Sequence, residues 1–161
     1  MGIFIIITDA TTSFLEVKAD SHFIKTSLYD KAGQVLRDKN LLILTGHPGE
    51  GKTAMAAHLA LEGGTKKENC IKLESVRDWK DVNWSLRCFT TVIIDDIFGG
   101  ISLDHERLRE WKTVLNDIEQ RATNKELRVI ITSRHNIIEE AKGEMDKITM
   151  FHETGYTVRL D

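Results

Sequence analysis

The sequence predicts an α/β protein: a three-layer sandwich around a mainly parallel sheet of five strands. Three observations predict it. Short β-branched runs alternate with helical patterns, the order expected of strands joined by crossover helices. The run 41–44 is continuously apolar, and 91–94 and 128–132 hold the apolar stretches Val92–Ile94 and Val129–Ile131, as strands covered on both faces require. The chain has 161 residues, 41% apolar and 29% charged, which suits a folded chain and not a disordered one. One domain usually takes about 150 residues, and there is no repeat or linker tract to divide this one.

The elements follow in order. A tail is expected over 1–20, ahead of one domain over 21–161. Ser27–Asp38 reads as a helix with Leu28, Ala32, Val35 and Leu36 on one face. The run 41–44 is a strand. Thr53–Leu61 is a helix whose alanines suit close packing on a sheet, stopped by Gly63 and Gly64. Ile71–Leu73 is a short strand, Ser75–Trp79 a short helix or turn, and Phe89–Ile94 a strand. Asp104–Arg121 is expected to be one amphipathic helix, with Leu108, Trp111, Leu115 and Ile118 at spacings of three and four. Arg128–Thr132 is a buried strand. Asn136–Lys142 is a short helix capped by Asn136, and Tyr156–Leu160 a last strand.

Composition excludes several classes. Twenty-two basic against 25 acidic residues give 22 − 25 = −3, too mild for a nucleic-acid coat. Two cysteines, Cys70 and Cys88, cannot make a disulfide framework and are expected as buried thiols, which suits a reducing, cytoplasmic compartment. The apolar run Ile3–Ile7 is far short of the roughly 20 residues that span a bilayer, and no basic residue precedes it as a signal peptide requires. His22, His58, His105, His135 and His152 make no zinc pattern with the cysteines. Trp79, Trp84 and Trp111 read as packing, and Glu106, Arg107, Arg109, Glu110, Glu139 and Glu140 as solvated helix faces.

The chemistry concentrates in three places. Gly46-His47-Pro48-Gly49-Glu50-Gly51-Lys52-Thr53 matches G-x-x-x-x-G-K-[ST], entered by a strand and left by the alanine-rich helix, and together with Ala54 it is the expected nucleotide-binding segment. Gly46, Gly49 and Gly51 are expected to take positive φ. Their N–H groups form an anion nest at a helix N-terminus, where the dipole favours phosphate. Lys52 would meet the β- and γ-phosphates, and Thr53 would ligate Mg²⁺. The second place is the strand end Asp95-Asp96. Asp95 would orient Mg²⁺ through its water shell, and Asp96 would orient or deprotonate the attacking water, although its reach is shorter than a glutamate's. The third is Thr132-Ser133-Arg134. Either hydroxyl could sense the γ-phosphate or hold water, and Arg134 could bond that phosphate bidentately, telling ATP from ADP.

GHPGEGKT, TVIIDDIFG and VIITSR together resemble the STAND class of P-loop NTPases, regulatory ATPases that combine with many other domains. The novel STAND type 3 NTPase domain is the most similar group, from about residue 21 to 161. The resemblance implies an ASCE (RecA-like) core, with a strand inserted between the nucleotide strand and the acidic strand. It implies a signalling switch between ADP and ATP states, coupled to self-association or to other domains. It places Arg134 on the γ-phosphate, and Phe23, Ile24 and Thr26 near adenine. STAND proteins continue into helical and winged-helix regions, so the expectation here is the NTPase core alone, a fragment or a truncated relative.

Other functions on the same core are weighed by residues. A GTPase usually shows N-K-x-D, but Asn124-Lys125-Glu126-Leu127 has leucine where the aspartate belongs and precedes its strand. No arginine-rich lid of a nucleotide kinase is visible. An AAA+-type ATPase would need a C-terminal helical lid. A non-hydrolysing nucleotide scaffold remains an alternative to a slow ATPase.

Overall fold

In a computed structural model, residues 11, 14–15, 26–49, 51–62, 66–86 and 88–160 are described. Thr26 opens the helix α1 (Ser27–Lys39), its hydroxyl accepting a hydrogen bond from the Tyr29 N–H at 3.3 Å. Asn40 ends it in the left-handed region at φ 57°. Strand β1 (Leu41–Thr45) follows and is buried throughout. Then come α2 (Lys52–Leu61), β2 (Cys70–Lys72), α3 (Val76–Asp81) and β3 (Thr90–Ile94). A helical pair α4 (His105–Lys112) and α5 (Leu115–Thr123), β4 (Leu127–Ser133), α6 (His135–Lys142) and β5 (Thr157–Arg159) complete the order.

The five strands form one all-parallel sheet in the order β2-β3-β4-β1-β5. β4 thus enters between the strand that leads into the glycine loop and the strand that ends in acids, as the resemblance implied. Side chains alternate across the sheet. Leu42, Leu44, Ile93 and Ile130 pack with α1 and α2, whereas Leu41, Ile43, Val92, Ile94, Val129 and Ile131 pack with α3 to α6. These two cores make the sandwich. No helix among the described residues is long and apolar enough to cross a membrane.

Several expectations need correction. The single helix 104–121 is two. The Thr113 hydroxyl turns back onto the Glu110 carbonyl at 2.7 Å, and Val114 leaves helical geometry at φ −121°. A hydroxyl bonded back into the preceding turn bends a helix, and a β-branched neighbour is stiff there. The apolar stripe survives: Leu108, Trp111, Leu115 and Ile118 are all buried. Asn136 does not cap α6. Arg134 occupies the cap position, with extended backbone. Cys70 is buried as expected but Cys88 is exposed, with its thiol 3.4 Å from Asn69 Oδ1. Within the expected tail, Thr11, Phe14 and Leu15 are helical, and Leu15 is fully buried beside α1 and α2. The Thr11 hydroxyl accepts the Lys72 N–H at 2.8 Å, closing one donor of the edge strand β2. Gly63 and Gly64, expected to stop α2, lie outside the described residues.

The segment after β3 shows how burial divides neighbours. Phe98 is fully buried and its ring meets that of Phe151 at 5.6 Å, while Ile101 is 82% exposed. Phe98→Ala should therefore lower the unfolding free energy by about 3–5 kcal/mol. Ile101→Ala should change it by no more than about 0.5 kcal/mol. Urea titration of both variants against the parent checks the contrast.

Candidate functional site

The site begins with strand parity and register. Ile94 of β3 pairs with Ile131 of β4, so the next residues on each strand, Asp95 and Thr132, lie side by side. On β4's other flank Thr132 pairs with Leu44, one residue before the end of β1. Asp95 shares the parity of Ile93, and Thr132 that of Ile130, so both face the α2 side of the sheet. Thr53, in the first turn of α2, sits on that side too.

The three side chains meet. Asp95 Oδ1 accepts the Thr53 hydroxyl at 3.1 Å and the Thr132 hydroxyl at 2.6 Å. The Thr132 oxygen in turn accepts the Asp96 N–H at 2.9 Å, and its carbonyl accepts the Ile97 N–H at 3.2 Å. Thr132 is fully buried. Its hydroxyl, expected to sense a phosphate or hold a water, clamps the acidic strand end in this structure by donating to one aspartate and accepting from the next.

Lys52 is nearly buried at 8% exposure, and its ammonium donates to the Gly46 and His47 carbonyls, each at 3.1 Å. The lysine thus folds back over the loop it follows. Gly49 and Gly51 take φ of 85° and 80°, and a Cβ at either would meet nothing within 4 Å. Their inner surface is open, as close approach of a ligand to backbone needs. Gly46 is not among the positive-φ residues, so that expectation fails for it: it lies on the straight exit of β1, buried, where no turn is needed. His47 and Pro48 are exposed, and Ala54 is half-buried in the first turn of α2. Glu50 lies outside the described residues.

Asp96 is held in an unusual setting. Its backbone is left-handed at φ 48°, strained for any residue with a Cβ, though less so for Asp and Asn than for most. Burial pushes its carboxyl pKa up, and the charge of Asp95 pushes it further; Lys52, Arg134 and Arg107 pull the other way without overcoming this. Lys52 and Arg134 therefore both bear on the acidic strand end. The turn after it needs glycine at position 99, where φ is 117° and a Cβ would strike the Ser102 carbonyl at 2.4 Å, whereas a Cβ on Gly100 would sit 3.4 Å from Asp96 Oδ2, an ordinary contact.

Arg134 is half-buried at the end of β4, with Nη1 3.5 Å from the Ile101 carbonyl. Ser133 does not join the cluster. It is fully buried with the parity of Ile131, on the α6 side, and its hydroxyl donates to the Arg134 carbonyl at 3.2 Å. Thr26 is taken up as the cap of α1, and Phe23 and Ile24 lie outside the described residues. Arg107 was read as a solvated helix residue, but its Nε donates to the Ile97 carbonyl at 3.1 Å and its Nη1 approaches the Glu74 carbonyl at 3.4 Å. It braces the turn after Asp96. Nothing in its helical spacing signals this, because the partners are backbone atoms of other elements. Among the described residues no group of three or more His, Cys, Asp and Glu could hold a metal by itself.

No curated protein sequence matches the chain. Among solved structures it is similar to C. elegans PCH-2, at 14% identity and a TM-score of 0.43. The match covers 96% of this chain and 41% of that one, so the chain spans less than half of that protein's length. That likeness carries no argument about what this chain does. The family model described as Novel STAND NTPase 3 matches residues 23–161, and the chain belongs to that family of NTPase domains.

Proposed function

We propose that the chain is an ATP/ADP-binding switch domain of a STAND-type signalling protein, with slow Mg²⁺-dependent ATP hydrolysis. The observation that carries this reading is the shared Asp95 oxygen: one carboxylate ties the residue after Lys52 to the tip of the strand that ends in Arg134. Phosphates would lie on the open backbone of Gly49 and Gly51, at the N-terminus of α2. Lys52 would exchange its two loop carbonyls for phosphate oxygens, staying within hydrogen-bonding distance of the loop.

The donor set fits Mg²⁺. A hydroxyl and a carboxylate oxygen 3.1 Å apart are hard ligands of the kind this ion takes, alone or through water. Thr53 and Asp95 would hold it, and when bound it would neutralise charge developing on the phosphates. Asp96 would take a proton from water, and a carboxyl pKa raised by burial makes it a better base than a solvated aspartate. Arg134 would report the γ-phosphate, and the family's switching role would follow from that contact. The partners of such a switch would be nucleotide first, then self-association or other domains; nucleic acid is not indicated.

Thermal denaturation tests binding. ATP and ADP with Mg²⁺, at about 100 times Kd, should each stabilise the chain by about 2.7 kcal/mol. Lys52→Ala should abolish the shift. An equal shift with GTP would remove the adenine assignment.

Phosphate release tests hydrolysis. Release should be slow for the parent, and Asp96→Asn should reduce it by about 10²-fold or more, to the Lys52→Ala background. Parental release at that background would favour the non-hydrolysing scaffold instead.

The same Asp96→Asn variant should gain stability at neutral pH. An acid whose folded pKa is raised holds extra protons in the folded state. Stability therefore falls as pH rises from the unfolded pKa, and levels off above the folded one. Asparagine removes that penalty and tolerates the left-handed backbone. Melting temperature against pH should show the variant above the parent at pH 7, with the gap closing below about pH 4.

A further inference from the structure

The sheet's other end, where the strands begin, carries a cavity of about 450 Å³. That is within the usual range for a small organic ligand, roughly 300–1,000 Å³. It lies between the C-terminal parts of α1 and α2 and the starts of β3 and β4. Arg37 and Leu36 come from α1, Leu59 from α2, Glu62 from just after α2, Phe89 from just before β3, and Arg128 from the second position of β4. Because all strands are parallel, this cavity is separated from the glycine loop by the length of the sheet.

Its electrostatics are unbalanced. Two guanidiniums face one carboxylate. Glu62 already accepts the Tyr29 hydroxyl at 3.0 Å and stands 4.0 Å from Arg37 Nη1. Arg128 lies with its guanidinium carbon 5.5 Å from the centre of the Phe89 ring, a cation–π contact. Its Nε is shielded from water and has no hydrogen-bond partner among the described residues. A buried donor left unpaired is unfavourable and is rare in folded proteins. Burial and the like charge of Arg37 both disfavour the Arg128 cation.

The rest of the wall is apolar, formed by Leu36, Leu59 and Phe89. Phe89 is 45% exposed, one of two large hydrophobic side chains so exposed among the described residues. Gly33, inside α1, keeps the floor open: a Cβ there would come 3.2 Å from Arg37 Nη1 and 3.6 Å from Glu62 Oε2. Glycine inside a helix is unfavourable by about 1 kcal/mol against alanine, so it stands here against local preference.

We propose that this cavity binds an organic carboxylate, its acid group between Arg37 and Arg128 and its apolar part against Leu36, Leu59 and Phe89. An added anion restores the charge balance. Guanidinium forks match a carboxylate's two oxygens. The apolar walls select an anion that carries a hydrocarbon or aromatic group over a bare inorganic one. The carboxylate can come from a free small molecule or from an acidic side chain of a protein segment with apolar neighbours.

The site is independent of the nucleotide reading, and the test keeps them apart. Phenylacetate is titrated into the full chain while methyl and arginine Nε–H resonances are followed by NMR, with phenylacetamide as the neutral control. Phenylacetate should move the Leu36, Leu59 and Arg128 signals saturably, and phenylacetamide should not. Arg37→Gln and Arg128→Gln should each weaken binding about tenfold or more. Lys52→Ala should leave it unchanged. An equal response to the amide, a response that never saturates, or retention in both glutamine variants would overturn the proposal. If either variant fails to fold, the acid–amide comparison on the parent chain decides alone. A blocked Leu-Glu-Leu peptide distinguishes the sources: binding tighter than phenylacetate assigns the cavity to an acidic protein segment, and binding no tighter assigns it to a free carboxylate.

Discussion

A single carboxylate oxygen, Asp95 Oδ1, receives hydroxyl donors from the helix after the glycine loop and from the strand inserted between β1 and β3. Each donor is a threonine, short and stiff, so the three backbone segments are held at one spacing. Hydrogen bonds to a charged acceptor are stronger than neutral ones, and partial burial raises the cost of losing either. Around this point the rest of the site takes its place. Lys52 precedes Thr53, Asp96 follows Asp95, and Arg134 comes two residues after Thr132. Any motion of the loop relative to the sheet has to be expressed through these bonds.

The unfavourable features sit close to that point. Asp96 combines a left-handed backbone with a carboxyl disfavoured as an anion by burial and by its neighbour. The turn that follows closes tightly on itself, since a Cβ on Gly99 would strike the Ser102 carbonyl, and Arg107 braces it through the Ile97 carbonyl. Backbone strain and a perturbed carboxyl thus fall on the same residue, a combination that clusters at functional sites. The opposite end of the sheet offers a second instance of local preference overridden, where Gly33 sits inside the unbroken α1 and lines the cavity with two guanidiniums.

Parallel β-structure made much of this legible from residues alone. Continuous apolar runs marked β1, β3 and β4, and the glycine loop, the acidic strand end and the T-S-R end stood at the edges of those runs. Where the reading failed, the reason was a bond to something remote or a local geometry that periodicity does not record. The helix over 104–121 broke at Thr113, whose hydroxyl bonded backwards while the apolar stripe continued undisturbed. Ser133 and Thr132 looked equivalent as neighbouring hydroxyls, yet side-chain alternation sent them to opposite faces, and only the face holding α2 meets Asp95. Cys88 resembled Cys70 by residue type, but it precedes a strand and stays in solvent. Arg107 resembled its charged neighbours and differs from them only through carbonyls contributed by other elements.

By itself, the amino-acid order determined the class of fold, most of the strand-and-helix sequence, and where the glycine loop and the acidic strand end fall, because those follow from apolar period, glycine placement and charge at the ends of runs. The tertiary structure decided which strand lies between which, and therefore that Thr132 stands beside Asp95 and that Lys52 and Arg134 both act on Asp96. It also decided that Arg37 and Arg128, distant in the chain, share one cavity. Strand order and register are set by packing across the whole sheet, and no local pattern contains them.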